Sequence, residues 1–181
     1  MISVGKIMTR NRYETNEIIT YGDHAEILLY NKGCNEIARA IIDIDDIKLI
    51  KEYQWHIQDK HHVSAKINDK TTYLHRMIMN CPDGMFIDHI NHNPLDNRKQ
   101  NLRICTRAEN EHNKTIGKNN TSGHLGVIWN KARQKWRVVL GFNKKTYHLG
   151  EYDDIEEAIA VRKAAEKKYY GEFAYKEAYY S

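Results

Sequence analysis

The sequence contains few of the residues that covalent cross-links and rigid turns require. Three of its 181 residues are cysteine and two are proline. The cysteines, at positions 34, 81 and 105, form no CxxC pair, so their spacing is typical of neither a disulfide framework nor a zinc site. No apolar run approaches the ~20 residues of a membrane-spanning helix, and the segment MISVGKIMTRNRYE lacks the apolar core of a signal peptide. We therefore expect an intracellular protein with no zinc and no membrane partner.

Acidic residues are absent from positions 114 to 148, although the whole chain has 24 of them against 28 lysines and arginines. Residues 1–60, in contrast, carry a net charge of −2. Trp129 and Trp136 lie within the basic stretch, and cations interleaved with flat rings are typical of a surface that faces phosphates. A solvated basic face above two core tryptophans explains the composition equally well. The basic residues are Lys114, Lys118, Lys131, Arg133, Lys135, Arg137, Lys144 and Lys145.

The remaining composition, with 41% hydrophobic and 29% charged residues, is typical of a globular protein. The length allows one ordinary domain or two to three small modules. Residues 1–61 are predicted to form a small α+β scaffold that carries no recognisable chemistry. It has a hairpin of strands 25–30 and 36–42, a short helix capped by Asp43, and a second hairpin of strands 55–57 and 62–67.

The middle of the chain, residues 62–117, has a different pattern. A short strand at 85–87 leads directly into Asp88 and His89, and a long polar loop connects it to a second strand at 101–105. Thr106 and Glu109 have the spacing of a capping box, which predicts a helix that carries Asn110. The predicted order is therefore strand, loop, strand, helix.

The last part of the chain is predicted to be a third module, residues 124–181, after a linker at 118–123. Three short strands at 125–129, 135–140 and 146–149 are followed by a helix from 155 to 169, with Gly171 at its end. Three strands and one helix form the smallest α+β unit that can bury a face. The predicted class of the whole chain is α+β.

The polar residues of the middle module have the types that phosphodiester hydrolysis requires. His89 can act as the base, because the pKa of an unperturbed histidine lies near neutral pH. Asp88 and Asn110 can supply oxygen ligands to Mg²⁺ or Mn²⁺, and Asn101 can hold the loop and thereby the histidine. The same residue types are common in loops, where they form local hydrogen bonds. His92 is a weaker candidate base, and His112 or Asn113 are alternative ligands.

The run HRMIMNCPDGMFIDHINHNPLDNRKQNLRICTRAENEHNK closely resembles the HNH nucleases of the ββα-metal type, in the subgroup of phage and intron-encoded homing endonucleases. This resemblance implies that Asp88 and Asn110 hold one divalent metal ion, that His89 activates water and that Asn101 supports the loop. Many HNH nucleases have a histidine in place of Asn110, but asparagine occurs in the homing subgroup. The matching residues are His75-Arg76, Asp88-His89, Asp96-Asn97-Arg98, Asn101-Leu102-Arg103 and Asn110.

The C-terminal module resembles the AP2 DNA-binding domain, which implies a three-stranded sheet lying in the major groove with a helix packed behind it. The matching residues are Gly126-Val127, Lys135-Trp136, Leu149-Gly150, Glu156-Glu157-Ala158 and Gly171. Plant domains carry arginines at Ile128 and Asn130, so their sequence preference does not transfer. For Trp136, a core position is the alternative. The predicted DNA-binding residues of the whole chain are Arg98, Arg103, Asn130, Lys131, Arg133, Lys135, Trp136, Arg137 and His148.

The sequence thus predicts a site-directed DNA endonuclease that acts on double-stranded DNA as a monomer or homodimer. The resemblance implies metal-assisted hydrolysis to a 5′-phosphate and a 3′-hydroxyl, by nicking or double-strand cleavage. It also implies a phage- or intron-encoded protein in the cytoplasm of a bacterial host. The alternatives are a DNA-binding regulator with an inactive HNH segment and a nonspecific nuclease.

Overall fold

The structure is a computed structural model that describes residues 14–59, 61–112, 116–117 and 119–174. Within these residues the chain forms four α-helices and eleven β-strands, and the strands make four small antiparallel sheets. The chain divides into two compact units, one ending at Cys105 and the other beginning at Thr106. The α+β class predicted from the sequence is confirmed.

The first unit begins with a three-stranded antiparallel sheet in the order β1-β2-β3. Successive side chains of the central strand point to opposite faces, and Ala25, Ile27 and Leu29 are fully buried on one of them. A short 3-10 turn and helix α1 follow the sheet. The bounds are β1 (Ile18–Thr20), β2 (Ala25–Tyr30), β3 (Glu36–Ile42), the 3-10 turn (Ile44–Asp46) and α1 (Ile47–Ile50).

A second three-stranded sheet and helix α2 share a hydrophobic core with the first sheet. This core joins residues on both sides of the predicted boundary at 61/62, including Ile27, Trp55, Val63 and Leu74. The compact units therefore divide the chain at a different point from the predicted modules, whose boundaries stay predictions. The bounds are β4 (His56–Gln58), β5 (His62–Ile67), β6 (Lys70–Tyr73) and α2 (Leu74–Ile78).

Strands β7 (Phe86–His89) and β8 (Leu102–Cys105) form a two-stranded antiparallel sheet, and the long loop between them is attached to the edge of β3. The backbone N–H of Ile41 donates to the carbonyl of Leu95 at 2.8 Å, and the N–H of Asn97 donates to the carbonyl of Ile41 at 2.7 Å. The predicted cap Asp43 accepts from the backbone N–H of Lys99 at 2.8 Å, without capping its own helix. The N-terminal sheet therefore fixes the loop that follows His89.

The second unit contains a three-stranded antiparallel sheet in the order β9-β10-β11 with a long helix, α4, packed on one face. Asp154 caps α4 by accepting from the backbone N–H of Glu156 at 2.8 Å, and Gly171 ends the helix at a φ of 58°. The bounds are α3 (Arg107–His112), β9 (Val127–Asn130), β10 (Lys135–Phe142), β11 (Lys145–Tyr152) and α4 (Ile155–Tyr170).

A buried arginine connects α4 to the sheet. Arg162 donates to the backbone carbonyl of Val139 and pairs with Glu166 at 2.8 Å. Gly126 lies against the same carbonyl at a φ of 69°, and a Cβ atom there would approach the oxygen to 2.3 Å. Only glycine fits this position, because both the backbone conformation and the space exclude a side chain.

The elements agree with the predicted ones apart from two short strands, helix α2 and small shifts. β1 and β6 were not expected, because runs of three and four residues give too little alternation to detect. β7 extends to His89, so both predicted site residues lie in the strand. Within the described part of the chain, no helix has the length and apolar character needed to cross a membrane.

Candidate active site

Asp88 lies opposite Arg103 in the β7–β8 pair, and the two side chains form an ion pair. Arg103 Nε donates to Asp88 Oδ2 at 2.7 Å, and Arg103 Nη2 lies 2.5 Å from the same oxygen. The side chains are 7% exposed for Asp88 and 10% for Arg103. Arg103 therefore holds the carboxylate from inside the site, and its predicted contact with DNA stays a prediction.

His89 is buried beside Asn97, whose amide orientation is fixed by a second contact. Asn97 Nδ2 donates to the carbonyl of Pro94 at 3.3 Å, so its Oδ1 faces His89 Nε2, at 3.5 Å. Burial lowers the pKa of His89 to about 4, although Asn97 and two nearby carboxylates oppose the shift. A neutral ring that donates from Nε2 carries its basic lone pair on Nδ1. The site thus has a neutral imidazole whose Nε2 faces an amide oxygen.

Asn101 joins the polar loop to the start of β8. Its Nδ2 donates to the carbonyl of Asp96 at 2.8 Å, and its Oδ1 accepts from the N–H of Asn91 at 3.0 Å. Its own carbonyl accepts from the N–H of Ile90 at 2.9 Å. These contacts fit the predicted loop-holding role of Asn101, whose effect on cleavage stays a prediction.

Arg98 forms a two-pronged ion pair with Asp96 inside the loop, with both N···O distances at 2.8 Å. Burial raises the pKa of Asp96, but the hydrogen bonds and charge of Arg98 outweigh it and hold the pKa below its usual value. The structure thus gives Arg98 a loop-stabilising partner, and its predicted DNA contact also stays a prediction.

Two further histidines surround the His89 ring, and sequence reasoning gave neither a role. The ring centroids of His75 and His62 lie 5.3 and 6.1 Å from that of His89, and 5.4 Å from each other. His75 is 8% exposed, and its Nδ1 is buried without a hydrogen-bond partner. The sequence signal that could have pointed to His75 is the His75-Arg76 pair, which precedes the strand of the site. Arg76 donates to the carbonyl of Met85 at 2.7 Å, just before β7.

Asn110 lies on α3, whose start follows the predicted capping box. Thr106 Oγ1 accepts from the N–H of Glu109 at 3.3 Å, and the Glu109 carboxylate accepts from the N–H of Thr106 at 2.7 Å. Asn110 belongs to the second compact unit and Asp88 to the first. The arrangement of α3 with β7 and β8, and a metal ion shared by Asp88 and Asn110, stay predictions.

The donor set of the site fits a hard divalent ion. Among the described residues, no three His, Cys, Asp or Glu side chains come together in a way that could hold a metal. An ion bound by Asp88 and an amide oxygen would complete its shell with water and phosphate oxygens, as Mg²⁺ usually does. Of the alternative ligands, His112 stacks on Tyr170 at 3.8 Å, and Asn113 lies outside the described residues.

The face of the C-terminal sheet that points away from α4 carries most of the predicted DNA-binding residues. Cross-strand partners place Ile128, Arg137 and Glu151 side by side on this face, and Ile128 is 53% exposed. We call this surface the outer face. Its members are Ile128, Asn130, Lys135, Arg137, His148 and Glu151, with Lys131 and Arg133 in the adjoining turn.

Two carboxylates of β11 and its end lie against the cations of the outer face. Glu151 pairs with Arg133 at 2.9 Å and with Arg137 at 3.3 Å, and Lys135 pairs with Asp153 at 3.0 Å. The acid-free window 114–148 therefore overstates the positive charge of this surface, and two of its lysines, 114 and 118, lie outside the described residues.

Trp136 packs with the core beneath α4 and lies opposite Trp129, at a centroid distance of 5.0 Å. The structure thus favours the core alternative for Trp136, because strand alternation places it on the face opposite Arg137.

Comparisons with known proteins agree with this geometry. Residues 73–112 match a family model described as HNH endonuclease. Protein 3.8 of Escherichia phage T7 is 36% identical over 93 residues, which are 51% of this chain and 76% of that protein. The "uncharacterized HNH endonuclease L560" of Acanthamoeba polyphaga mimivirus is 25% identical over 142 residues, 75% of this chain and 72% of that protein. No solved structure gives a significant match. The chain therefore belongs to the same family as phage T7 protein 3.8 and carries an HNH endonuclease domain at residues 73–112.

Proposed function

We propose that the protein is a metal-dependent, site-directed DNA endonuclease in which His89 is the general base. The observation that carries the proposal is the buried neutral imidazole of His89 next to the Asp88 carboxylate, within the residues that match an HNH endonuclease. A neutral imidazole can accept a proton from water, whereas an imidazolium cannot.

The residues around His89 support this assignment. Asn97 accepts from Nε2 and so leaves the basic lone pair on Nδ1, while Asn101 holds the loop that carries Asn97. Arg103 fixes the carboxylate of Asp88. The chain's own residues thus orient a base and a metal-binding oxygen on one short strand.

We propose that Asp88 and Asn110 hold one Mg²⁺ or Mn²⁺ ion. When bound, such an ion would supply positive charge against the charge that develops on the scissile phosphate. The expected products are a 5′-phosphate and a 3′-hydroxyl. Since one HNH centre cuts one strand, a monomer would nick, and a homodimer could cut both strands.

We propose that the outer face of the AP2-like C-terminal sheet binds double-stranded DNA in the major groove. A β-ribbon fits this groove, and its outward side chains can reach base edges and phosphates. The outer face offers an exposed apolar residue, Ile128, flanked by arginine and lysine side chains. The two viral relatives support a virus-encoded protein, and we propose that it is a phage-encoded nuclease of the homing type.

A plasmid-nicking assay tests the proposal. Supercoiled plasmid carrying a fragment library of a phage genome is incubated with the protein and Mg²⁺ or Mn²⁺, with and without EDTA. We expect relaxed or linear DNA that depends on the metal and has a preferred cleavage site. His89→Ala should reduce the rate by about 10²–10⁴-fold, the usual contribution of a general base.

The matched control is His56→Ala, since His56 is an exposed histidine on β4. It should cleave at the rate of the unmodified protein, and His92→Ala tests the weaker candidate base in the same way. Specific DNA binding without scission in either metal would refute the endonuclease and favour a DNA-binding regulator. Scission without site preference at ~0.15 M salt, where phosphate contacts weaken, would instead favour a nonspecific nuclease.

A further inference from the structure

His75 is packed against the proposed base through its ring. The planes of the His75 and His89 rings are nearly perpendicular, at 85°, with their centroids 5.3 Å apart. Tyr73 stacks on His75 at 5.6 Å and 17°, so the His75 ring is itself held in place. The proposed base therefore makes an edge-to-face contact with the fixed His75 ring and meets the amide of Asn97 at its Nε2.

The nitrogen atoms of His75 are costly for the fold. Its Nδ1 is buried without a partner, and a buried polar atom without a hydrogen bond destabilises a folded protein. Burial, with the neighbouring His89, His62 and Arg76, lowers the pKa of His75 to about 3, so the ring is neutral at physiological pH. A phenylalanine would fill a similar volume without this cost. A buried polar group retained at such a cost is expected where function requires it.

The cluster of three histidines is not explained by a shared metal ion. Nowhere in the described ranges do three His, Cys, Asp or Glu side chains have an arrangement that could hold one. What the structure does give is direct contact between the rings themselves. Two imidazoles in an edge-to-face contact attract each other and favour one relative orientation, and the ring nitrogens polarise both rings more strongly than a phenyl ring is polarised.

We propose that His75 is a positioning residue that holds the His89 ring in its reactive orientation, through an edge-to-face contact that depends on its polar imidazole ring rather than on its bulk. The inference rests on the proposed role of His89 as the base. It predicts that the fold and the cleavage reaction respond to His75 in opposite directions, which a purely structural residue would not do.

The first test is His75→Phe, which keeps a flat ring and removes both nitrogens. We expect an unchanged or higher melting temperature, because the unpartnered nitrogen is lost. We expect the single-turnover cleavage rate to fall by about 10- to 100-fold, as for a slightly misplaced catalytic group, with DNA affinity unchanged. The control is His56→Phe, which makes the same substitution on an exposed strand position. His75→Gln is a second variant if phenylalanine does not fit the site.

The second test is a nuclear magnetic resonance measurement on the metal-free protein. Correlation spectra of the histidine ring nitrogens report which nitrogen carries the proton. We expect His89 to be protonated at Nε2 alone in the unmodified protein, and to show a mixture of tautomers in His75→Phe but not in His56→Phe.

The two tests separate the two proposals. If the unmodified protein cuts no DNA, the proposed function fails, and the spectra still decide whether His75 orients His89. If His75→Phe leaves both the His89 tautomer and the cleavage rate unchanged, the positioning role is wrong even though the protein is a nuclease. A fall in the cleavage rate that is accompanied by a fall in the melting temperature would also refute it, because a purely structural residue would give this result.

Discussion

Two arginine–carboxylate pairs occupy the same position in their sheets but different surroundings. Asp88 lies directly opposite Arg103 in the β7–β8 pair, and Glu151 lies directly opposite Arg137 in the β10–β11 pair. The first pair is 7% and 10% exposed, whereas Glu151 and Arg137 are 21% and 44% exposed. Strand register thus brings the charges together in both cases, and the degree of burial decides whether water can replace the contacts of the pair.

The buried pair lies where water can hardly compete for its contacts. Removing one partner would take away the counter-charge of a side chain that is at most 10% exposed, which is strongly unfavourable. The exposed carboxylate shares its cations, since Glu151 also pairs with Arg133, and water can replace any of these contacts. We therefore expect the Asp88–Arg103 pair to fix geometry and the Glu151 group to exchange partners.

The largest expected effect is that of Arg103→Ala. It should destabilise the protein by about 3–5 kcal/mol, because it removes the charged partner of the buried Asp88 carboxylate. Urea unfolding followed by circular dichroism measures this loss. Lys135→Ala, which breaks the exposed pair with Asp153, is the matched control and should cost less than ~1 kcal/mol. Equal losses in the two variants would contradict the comparison.

Local sequence patterns predicted the elements around both pairs but not the pairs themselves. The capping box at Thr106 and Glu109 predicts the start of α3, because the signal and the contact lie within one turn. The contact between Arg103 and Asp88 depends on strand register across a loop of twelve residues, 90–101, so Arg103 was assigned to DNA. Short-range sequence patterns indicate caps and turns, whereas cross-strand partners can be assigned only when the strand register is known.

The second prediction concerns acid, and it separates the buried site from the exposed sheet face. Burial lowers the pKa of His89 to about 4 and that of His75 to about 3. Unfolded histidines have a pKa near 6.5, so below that pH the unfolded chain binds more protons and stability falls. Two such histidines should reduce the free energy of unfolding by ~2 kcal/mol between pH 6.5 and 5.5.

Urea unfolding at the two pH values measures this effect. Burial also lowers the pKa of His62 and of His112, which add to the loss, so His75→Phe should make the measured loss smaller by about 1 kcal/mol. His56→Phe, at an exposed position, should show all of it. An identical pH dependence in His75→Phe and the unmodified protein would show that the two buried rings do not set the acid response.

The third prediction tests the capping box at the start of the second unit. Thr106→Ala removes the oxygen that accepts from the N–H of Glu109, and should cost about 0.5–2 kcal/mol. Thr106→Ser keeps this oxygen and is the control. If Asn110 holds the metal, fraying of α3 should also raise the Mg²⁺ concentration needed for half-maximal nicking. An unchanged unfolding midpoint in Thr106→Ala would show that the cap does not stabilise the helix.

The site is only partly visible in the sequence for a similar reason. Asp88, His89, Asn101 and Asn110 have motif spacing, so their residue types and order are enough to indicate their chemistry. The role of Asn97 depends on an amide that turns back toward His89, and that of His75 on a helix from a different part of the chain. On the outer face, residues 114–148 contain no acid, but Glu151 and Asp153 follow this window in sequence. Strand β11 and its end bring their carboxylates beside the cations.

The smallest expected effect is on DNA affinity, and it comes from the exposed group. Glu151→Gln removes the negative charge that holds Arg133 and Arg137, while the Gln side chain can still accept hydrogen bonds. If the outer face binds DNA, both arginines become available to phosphates. The affinity should then rise about threefold at moderate salt, and the salt dependence should steepen by up to ~0.9 in log–log slope for each arginine released. Glu157→Gln, an equal change in net charge on the exposed start of α4, is the control and should leave the slope unchanged. If Glu151→Gln weakens binding instead, the carboxylate itself contacts the DNA or orients the arginines toward it. In that case, the contacts of Glu151 with its arginines would be as fixed in geometry as the buried Asp88–Arg103 pair.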